Sequence, residues 1–186
     1  MFNKYSQYYD RLYKDKDYKK ETNFISNLIK INKKDLILDI GCGTANHAIQ
    51  LSKKVRHLVG IDKSRAMISI AKKKIKQKKL NKKIDIILND ITKKKIDFKF
   101  DKIMMMFHVL SYLNKDKEIK NFFKFTSQML PKNGILIFDY WNKDAVNHFG
   151  LKPTKKIINE SDKKIIRLGQ PLKSKNKNVK KIKFII

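Results

Sequence analysis

Short apolar runs recur along the chain, each followed by a longer segment whose apolar residues fall on one helical face, and this alternation limits the fold more than any other feature. Residues 35–40 (DLILDI), 58–61, 84–88, 102–107 and 135–138 have strand length and lack a polar alternate face. Between them, residues 45–54 place Ala45, Ala48, Ile49 and Leu51 at helical spacing. Residues 64–79 do the same with Met67, Ile68, Ala71 and Ile75 behind Ser64, a candidate N-cap. Residues 116–130 bury Ile119, Phe122, Phe123, Thr126, Met129 and Leu130, and Pro131 and Gly134 then turn the chain into the fifth run. Strands that are apolar on both faces need helices above and below, so the pattern predicts an α/β fold: a doubly wound, mostly parallel sheet. Such sheets bind ligands outside the carboxyl ends of their strands. The residues to interrogate are therefore 41–47, Asp62, Asp90, 107–112 and 139–142.

The flanks differ in texture. An aromatic, charged segment (residues 5–20) leads into a helix with Phe24, Ile25, Leu28 and Ile29 on one face. After Asn142, short β-type runs at 155–158, 164–168 and 179–186 alternate with polar turns and read as a small antiparallel appendage. The expected organisation is a ligand-binding domain over 1–149, with residues 1–20 as a lid, and a β extension over 150–186.

Composition excludes several classes. At 186 residues and 41% hydrophobic content the chain suits one domain with a sizeable core and is too apolar for a disordered basic tail. Cys42 is the only cysteine, so no internal disulfide forms, and no Cys/His cluster has zinc spacing. No run approaches the ~20 apolar residues of a membrane span, and the first residues carry no apolar stretch behind their charges. A metal-free, cytoplasmic protein is expected.

The net charge of +28 comes from 45 Lys+Arg against 17 Asp+Glu. Only Arg11, Arg56, Arg65 and Arg167 are arginine, and the lysines lie everywhere rather than in one stripe. Surfaces built to grip phosphate bidentately favour Arg, so a uniform excess of Lys, Ile and Asn reads as compositional drift. Nucleic acid stays an alternative, less favoured partner.

The chemistry gathers in LDIGCGTANHA, which puts Asp39, Gly41, Gly43 and Ala45 on alternate positions at a strand-to-helix turn. Small residues let the backbone turn sharply and approach a ligand. Position 46 is Asn rather than the third Gly of a dinucleotide fingerprint, and no Gly-Lys-Ser/Thr follows, so the loop is not built for a pyrophosphate. Asp39 suits a cationic ammonium. Asp62 ends the second strand, where an acid accepts ribose hydroxyls, and Asp90 after the third is placed for an exocyclic adenine amine. Ammonium, ribose and adenine together describe S-adenosylmethionine.

These blocks, with VGIDKSRAMISIAKKK, ILNDI, FDKIMMMFHVLSYL and LPKNGILIFDYWN, resemble the successive motifs of class I S-adenosylmethionine-dependent methyltransferases, over residues 35–142. The opening YYDRLYKDKDYKKE is similar to the lid of the branch that includes aminosugar N,N-dimethyltransferases. The resemblance implies a Rossmann-like fold and a cofactor set of Tyr13, Tyr18, Asp39, Gly41, Gly43, Ala45, Asp62, Met67, Asp90, Ile91, Met106 and Phe107. Within it, Gly41, Gly43 and Ala45 flank the methionine part, Asp62 the ribose, Asp90 and Ile91 the adenine, and Met106 and Phe107 the sulfonium. Tyr9, Tyr13 and Tyr18 close over it. The family usually has Gly where this chain has Ala45, which is expected to weaken cofactor affinity.

His108, at the carboxyl end of the fourth strand, is the candidate base or substrate-orienting group, with Tyr13 beside it as the second catalytic candidate. His47 is expected on the first turn of the loop helix, and Cys42 as a small packed residue rather than a nucleophile. Asp139, Tyr140 and Trp141 are expected to shape the substrate mouth.

Three function classes follow. A small-molecule N- or O-methyltransferase is favoured by the Tyr-rich lid and the β appendage, through which a homodimer could form. An RNA methyltransferase would explain the charge, but no Asn/Asp-Pro-Pro-Tyr/Phe signature follows the fourth strand. The third class is a truncated, inactive cofactor binder. The family's sheet continues past the fifth strand, so either that strand is left as an uncovered edge or residues 155–186 supply the missing strands.

Overall fold

Each of the five apolar runs becomes a strand, and the two at 36–40 and 102–105 are buried on both faces. The computed structural model describes residues 3–174 and 179–186; the outermost end of the lid segment and the turn expected before the last strand lie outside the described residues. The strands β1 (Leu36–Ile40), β2 (His57–Asp62), β3 (Ile84–Leu88), β4 (Lys102–Met105) and β5 (Ile135–Phe138) form one parallel sheet in the order β3-β2-β1-β4-β5. The connections reverse direction between β1 and β4, so the crevice at their carboxyl ends is the natural ligand site.

All five residues of β1 are buried. On one side Ile37 joins Leu58, Ile86 and Met104 against α3 (Asn46–Leu51) and α4 (Arg65–Gln77), through Ala48, Leu51, Ile68, Ala71 and Ile75. On the other, Leu36, Leu38 and Ile40 meet Ile103, Met105, Phe122 and Met129, the last two from α5 (Asp116–Met129). The period-two alternation of β1 thus feeds two apolar layers and sends Asp39 to the α3/α4 side with Ile37. Ser64 caps α4 as expected, accepting the Met67 N–H at 3.4 Å.

The outer helices depart from expectation. In α2 (Tyr18–Leu28) the buried face is Thr22, Ile25 and Ser26, while Phe24 and Leu28 are 65% and 59% exposed. Phe123 of α5 is likewise exposed rather than buried. Threonine and serine pack inward because their hydroxyls donate to carbonyls one turn back: Thr22 to Tyr18 at 2.8 Å, Ser26 to Thr22 at 2.6 Å. The fourth strand stops at Met105, two residues early, because Phe107 and His108 both adopt left-handed backbone.

A second compact unit contains residues 7–15, most of α1 (Asn3–Leu12), together with residues 141–186. After α6 (Lys143–Phe149), a helix the sequence reading did not anticipate, β6 (Thr154–Asn159), β7 (Lys164–Leu172) and β8 (Lys181–Ile185) form an antiparallel sheet. Residues 155–186 therefore do not extend the main sheet, which overturns that alternative: β6, β7 and β8 pair with one another, and β5 is an edge of the five-stranded sheet. Within the unit, Arg11 pairs with Glu160 at 3.2 Å and Lys156 with Asp15 at 3.2 Å.

Candidate active site

The glycine loop is organised by Asp62. Its Oδ2 accepts the Gly43 N–H at 3.0 Å and its Oδ1 the Ser64 N–H at 2.8 Å, so one carboxylate ties the loop after β1 to the start of α4. The N–H groups of Gly41 and Cys42 both donate to the Ile61 carbonyl, at 2.8 and 2.9 Å. Gly41 and Gly43 have φ of +72° and +54°, and Ala45 reaches φ 66° as the N-cap of α3. A side chain at Gly41 would also strike Val109 Cγ1 at 2.5 Å, whereas one at Gly43 would enter open space. Gly41 thus seats the loop against the segment after β4, and Gly43 leaves its backbone open to a ligand.

Beside this opening, Asp39 is buried with its Oδ2 lacking any hydrogen-bond partner. Burial raises its pKa to about 6, with the nearby Asp62 charge adding to the rise and His47 opposing it. Asp62 is also raised, again by burial, against the backbone hydrogen bonds that favour its charge. Two carboxyls held above their ordinary range at the switch point of the sheet are what a bound cation would stabilise. Burial pushes the Cys42 thiol up as well, in keeping with a packed, inert side chain.

Asp90 follows β3 in a tight turn, its Oδ1 accepting the Thr92 N–H at 3.1 Å and the Thr92 hydroxyl at 2.7 Å. The Asn89 N–H donates to the Asp62 carbonyl at 3.1 Å, so the two acids end neighbouring strands. Ile91 and Met67 are buried, and Met106 packs against the α3/α4 layer. At the end of β4, the His108 N–H donates to Asp139 Oδ1 at 2.8 Å, and its Nδ1 lies 3.5 Å from Asp139 Oδ2. The Phe107 and His108 rings lie tilted at 36° with centroids 5.9 Å apart. Consecutive left-handed non-glycine residues are costly and persist where the surroundings over-determine them, often at working sites.

Tyr18 belongs to the same unit, its ring edge-on to His47 at 5.1 Å. Tyr9 and Tyr13 belong to the second unit, with rings 4.9 Å apart, and the Tyr13 hydroxyl accepts from Arg167 Nη1 at 3.2 Å. Sequence reasoning missed Glu21 and Lys16, which meet His47 at the loop helix. Glu21 Oε2 is 2.8 Å from His47 Nε2 and 2.6 Å from Lys16 Nζ. Burial alone would raise Glu21, but the hydrogen bonds and charges of His47 and Lys16 outweigh it and hold it at about 2. The only local signal was His47 itself, expected in the first turn of α3, a polar ring that needs a partner when buried.

The residues fit S-adenosylmethionine. Asp39, with an unsatisfied buried oxygen, would hold the ammonium; the open backbone at Gly43 would border the methionine part; Asp62 keeps lone pairs for hydroxyls after serving the loop. Among the described residues no helix is long and apolar enough to cross a membrane, and no cluster of three or more His, Cys, Asp or Glu could hold a metal ion.

Comparison with known proteins agrees with this reading. Residues 37–134 match a family model described as a methyltransferase domain. The chain is 24% identical, over 72% of its length and 55% of the relative, to the dTDP-3-amino-3,4,6-trideoxy-alpha-D-glucopyranose N,N-dimethyltransferase of Streptomyces venezuelae. It is 36% identical, over 58% of its length and 42% of the relative, to a ubiquinone biosynthesis O-methyltransferase of Pelagibacter ubique. Curated relatives extend well beyond it: the chain covers 60% of a methyltransferase-like Geobacillus protein and 55% of the Streptomyces enzyme. The crystal structure of an S-adenosylmethionine-dependent methyltransferase from Clostridium acetobutylicum superposes with TM-score 0.75 at 24% identity, covering 99% of this chain and 79% of that one. That likeness establishes the fold, and the family match over more than half the chain establishes the rest: this protein belongs to the S-adenosylmethionine-dependent methyltransferase family.

Proposed function

We propose that the chain transfers a methyl group from S-adenosylmethionine to a nitrogen or oxygen of a small molecule. The buried, partnerless oxygen of Asp39 beside the open loop at Gly43 carries the reading. When bound, the cofactor supplies a methyl group already activated on a sulfonium. The protein's task is to place the acceptor in line with that bond and keep water out, an orientation effect worth up to ~7–11 kcal/mol. Phe107 and Tyr18 line an apolar, π-rich wall on one side. His108, whose backbone N–H is held by Asp139 and whose Nδ1 lies 3.5 Å from the same carboxylate, is poised to orient the acceptor or take its proton. Asp90 and Asp62 hold the adenosine part.

Amino sugars are the acceptor class we favour, because the Streptomyces relative is named for one and the opening YYDRLYKDKDYKKE resembles the lid of the branch that includes such enzymes. Titration calorimetry with S-adenosylmethionine tests the reading. Micromolar binding that weakens as pH falls through about 6, where Asp39 takes up a proton, is expected. No binding by the folded chain would end it. Tight RNA binding that falls steeply with salt, together with methylation of that RNA, would replace the small-molecule acceptor with a nucleic acid.

A further inference from the structure

Lysines in this chain are mostly solvent-facing, but Lys16 is not. Its side chain is 20% exposed, and its Nζ lies 4.4 Å from the Phe107 ring centroid and 5.3 Å from that of Tyr18. Glu21 Oε2 completes the surroundings at 2.6 Å and is itself held by His47 at 2.8 Å. Two ring faces and one carboxylate form a seat for a single positive charge. Because Glu21 stays ionised down to about pH 2, the seat keeps its negative charge at any pH the protein meets.

Phe107 follows β4 at the switch point, two residues before the valine that seats Gly41. A ligand lying on the glycine loop therefore extends toward the same rings. A sulfonium and an ammonium are both monocations, and a seat of this size does not hold both. The demethylated product, S-adenosylhomocysteine, is a neutral thioether and makes no such demand.

We propose that Lys16 is a charge-discriminating residue of the methyl-donor site: its ammonium occupies the seat formed by Phe107, Tyr18 and Glu21 and competes with the donor's sulfonium but not with the neutral product. The inference rests on the reading of the chain as a methyl-donor-binding protein. To admit the donor, Lys16 must give up its ring contacts and its place on Glu21. With the product bound it keeps both. Lys16 thereby biases the site toward the product, and removing its charge shifts that bias toward the donor.

Calorimetric titration of the full chain with S-adenosylmethionine and, separately, S-adenosylhomocysteine reads this bias directly. Lys16→Met keeps the apolar stem and deletes the charge; it is expected to raise donor affinity about three- to tenfold, the scale of one cation–π contact, and to move product affinity less than about twofold. Lys16→Gln, a second neutral variant, gives the same change of ratio, and Lys16→Arg, which keeps the charge, leaves the wild-type ratio. Equal shifts for both ligands, or an unchanged donor affinity in both neutral variants, overturn the proposal while leaving the methyltransferase reading in place. A folded wild-type chain that binds neither nucleoside overturns both together.

Discussion

Asp39 is the residue at which stability and function pull in opposite directions. Its folded pKa of about 6 lies above the ordinary value of 3.8, so the fold binds the Asp39 proton more tightly than the unfolded chain does. The sign follows: below about pH 4 the group is neutral in both states and costs nothing, and the cost of burying its charge grows as pH rises toward 6 and is flat above it. Asp39→Asn is expected to stabilise the ligand-free chain by about 1–2 kcal/mol at pH 8 and hardly at pH 4, while abolishing the pH dependence of donor binding. Urea melts at the two pH values check this; equal gains at both would mean that the carboxyl binds its proton equally tightly in the folded and unfolded chain. At His108 the expectation is kinetic. His108→Ala should lower turnover at least about tenfold and leave donor affinity within twofold, and unchanged turnover with the true acceptor removes it from the chemistry. The placement of Asp39, Asp62 and His108 at the carboxyl ends of β1, β2 and β4 was legible because each lies at or next to the end of an apolar run, where a parallel sheet puts its ligands. The Glu21–His47–Lys16 cluster was not, since its members are separated by up to 31 residues and meet only through packing of α2 on α3.

The strands of the parallel sheet were read to within two residues at each end, because their apolar runs stop where polar residues begin, whereas the run at 164–168 continues to Leu172 in β7. Helix faces were harder: apolar spacing in α2 pointed to Phe24 and Leu28, yet Thr22 and Ser26 face inward with their hydroxyls satisfied one turn back. The end of β4 was overrun because nothing in Met106–Phe107–His108 announces a left-handed turn. At the opposite end of that strand sits an ion pair the sequence did not suggest. Lys102 reaches the Asp35 carboxylate just before β1, both buried, and Asp35 also accepts the Asn32 N–H at 2.7 Å. Asp101 accepts the Leu36 N–H at 2.8 Å in the same corner. Breaking such a pair strands the remaining charge in a dry place. Lys102→Met is expected to cost about 3–5 kcal/mol, and Lys102→Met with Asp35→Leu to recover a good part of it. Denaturant midpoints for the single and double variants decide the point, and an additive double would mean that the two groups do not interact.

At the scale of the molecule, the charge of +28 is a burden on folding that the ligand site does not share. Like charges spread over a small surface repel, and added salt screens them within about 10 Å at 0.1 M. The thermal midpoint is therefore expected to rise by several degrees between low salt and about 0.3 M salt. A flat profile in differential scanning calorimetry would show that local ion pairs such as Arg11–Glu160 already compensate the excess. Composition alone could not separate this coat from a nucleic-acid surface. The salt dependence of RNA binding is the measurement that separates the two.

Residues 7–15 share a compact unit with residues 141–186. During synthesis, at about 5–20 residues per second, these early residues must wait roughly 7–30 s for the strands that receive them. Until β6 and β7 emerge, Arg11, Tyr13 and Asp15 lack Glu160, Arg167 and Lys156, and the parallel sheet built from the intervening chain has time to assemble first. Residues 7–15 are thus among the last to find their place although they are made before the sheet, and a nascent chain stalled before residue 154 would carry a folded sheet and these residues unanchored.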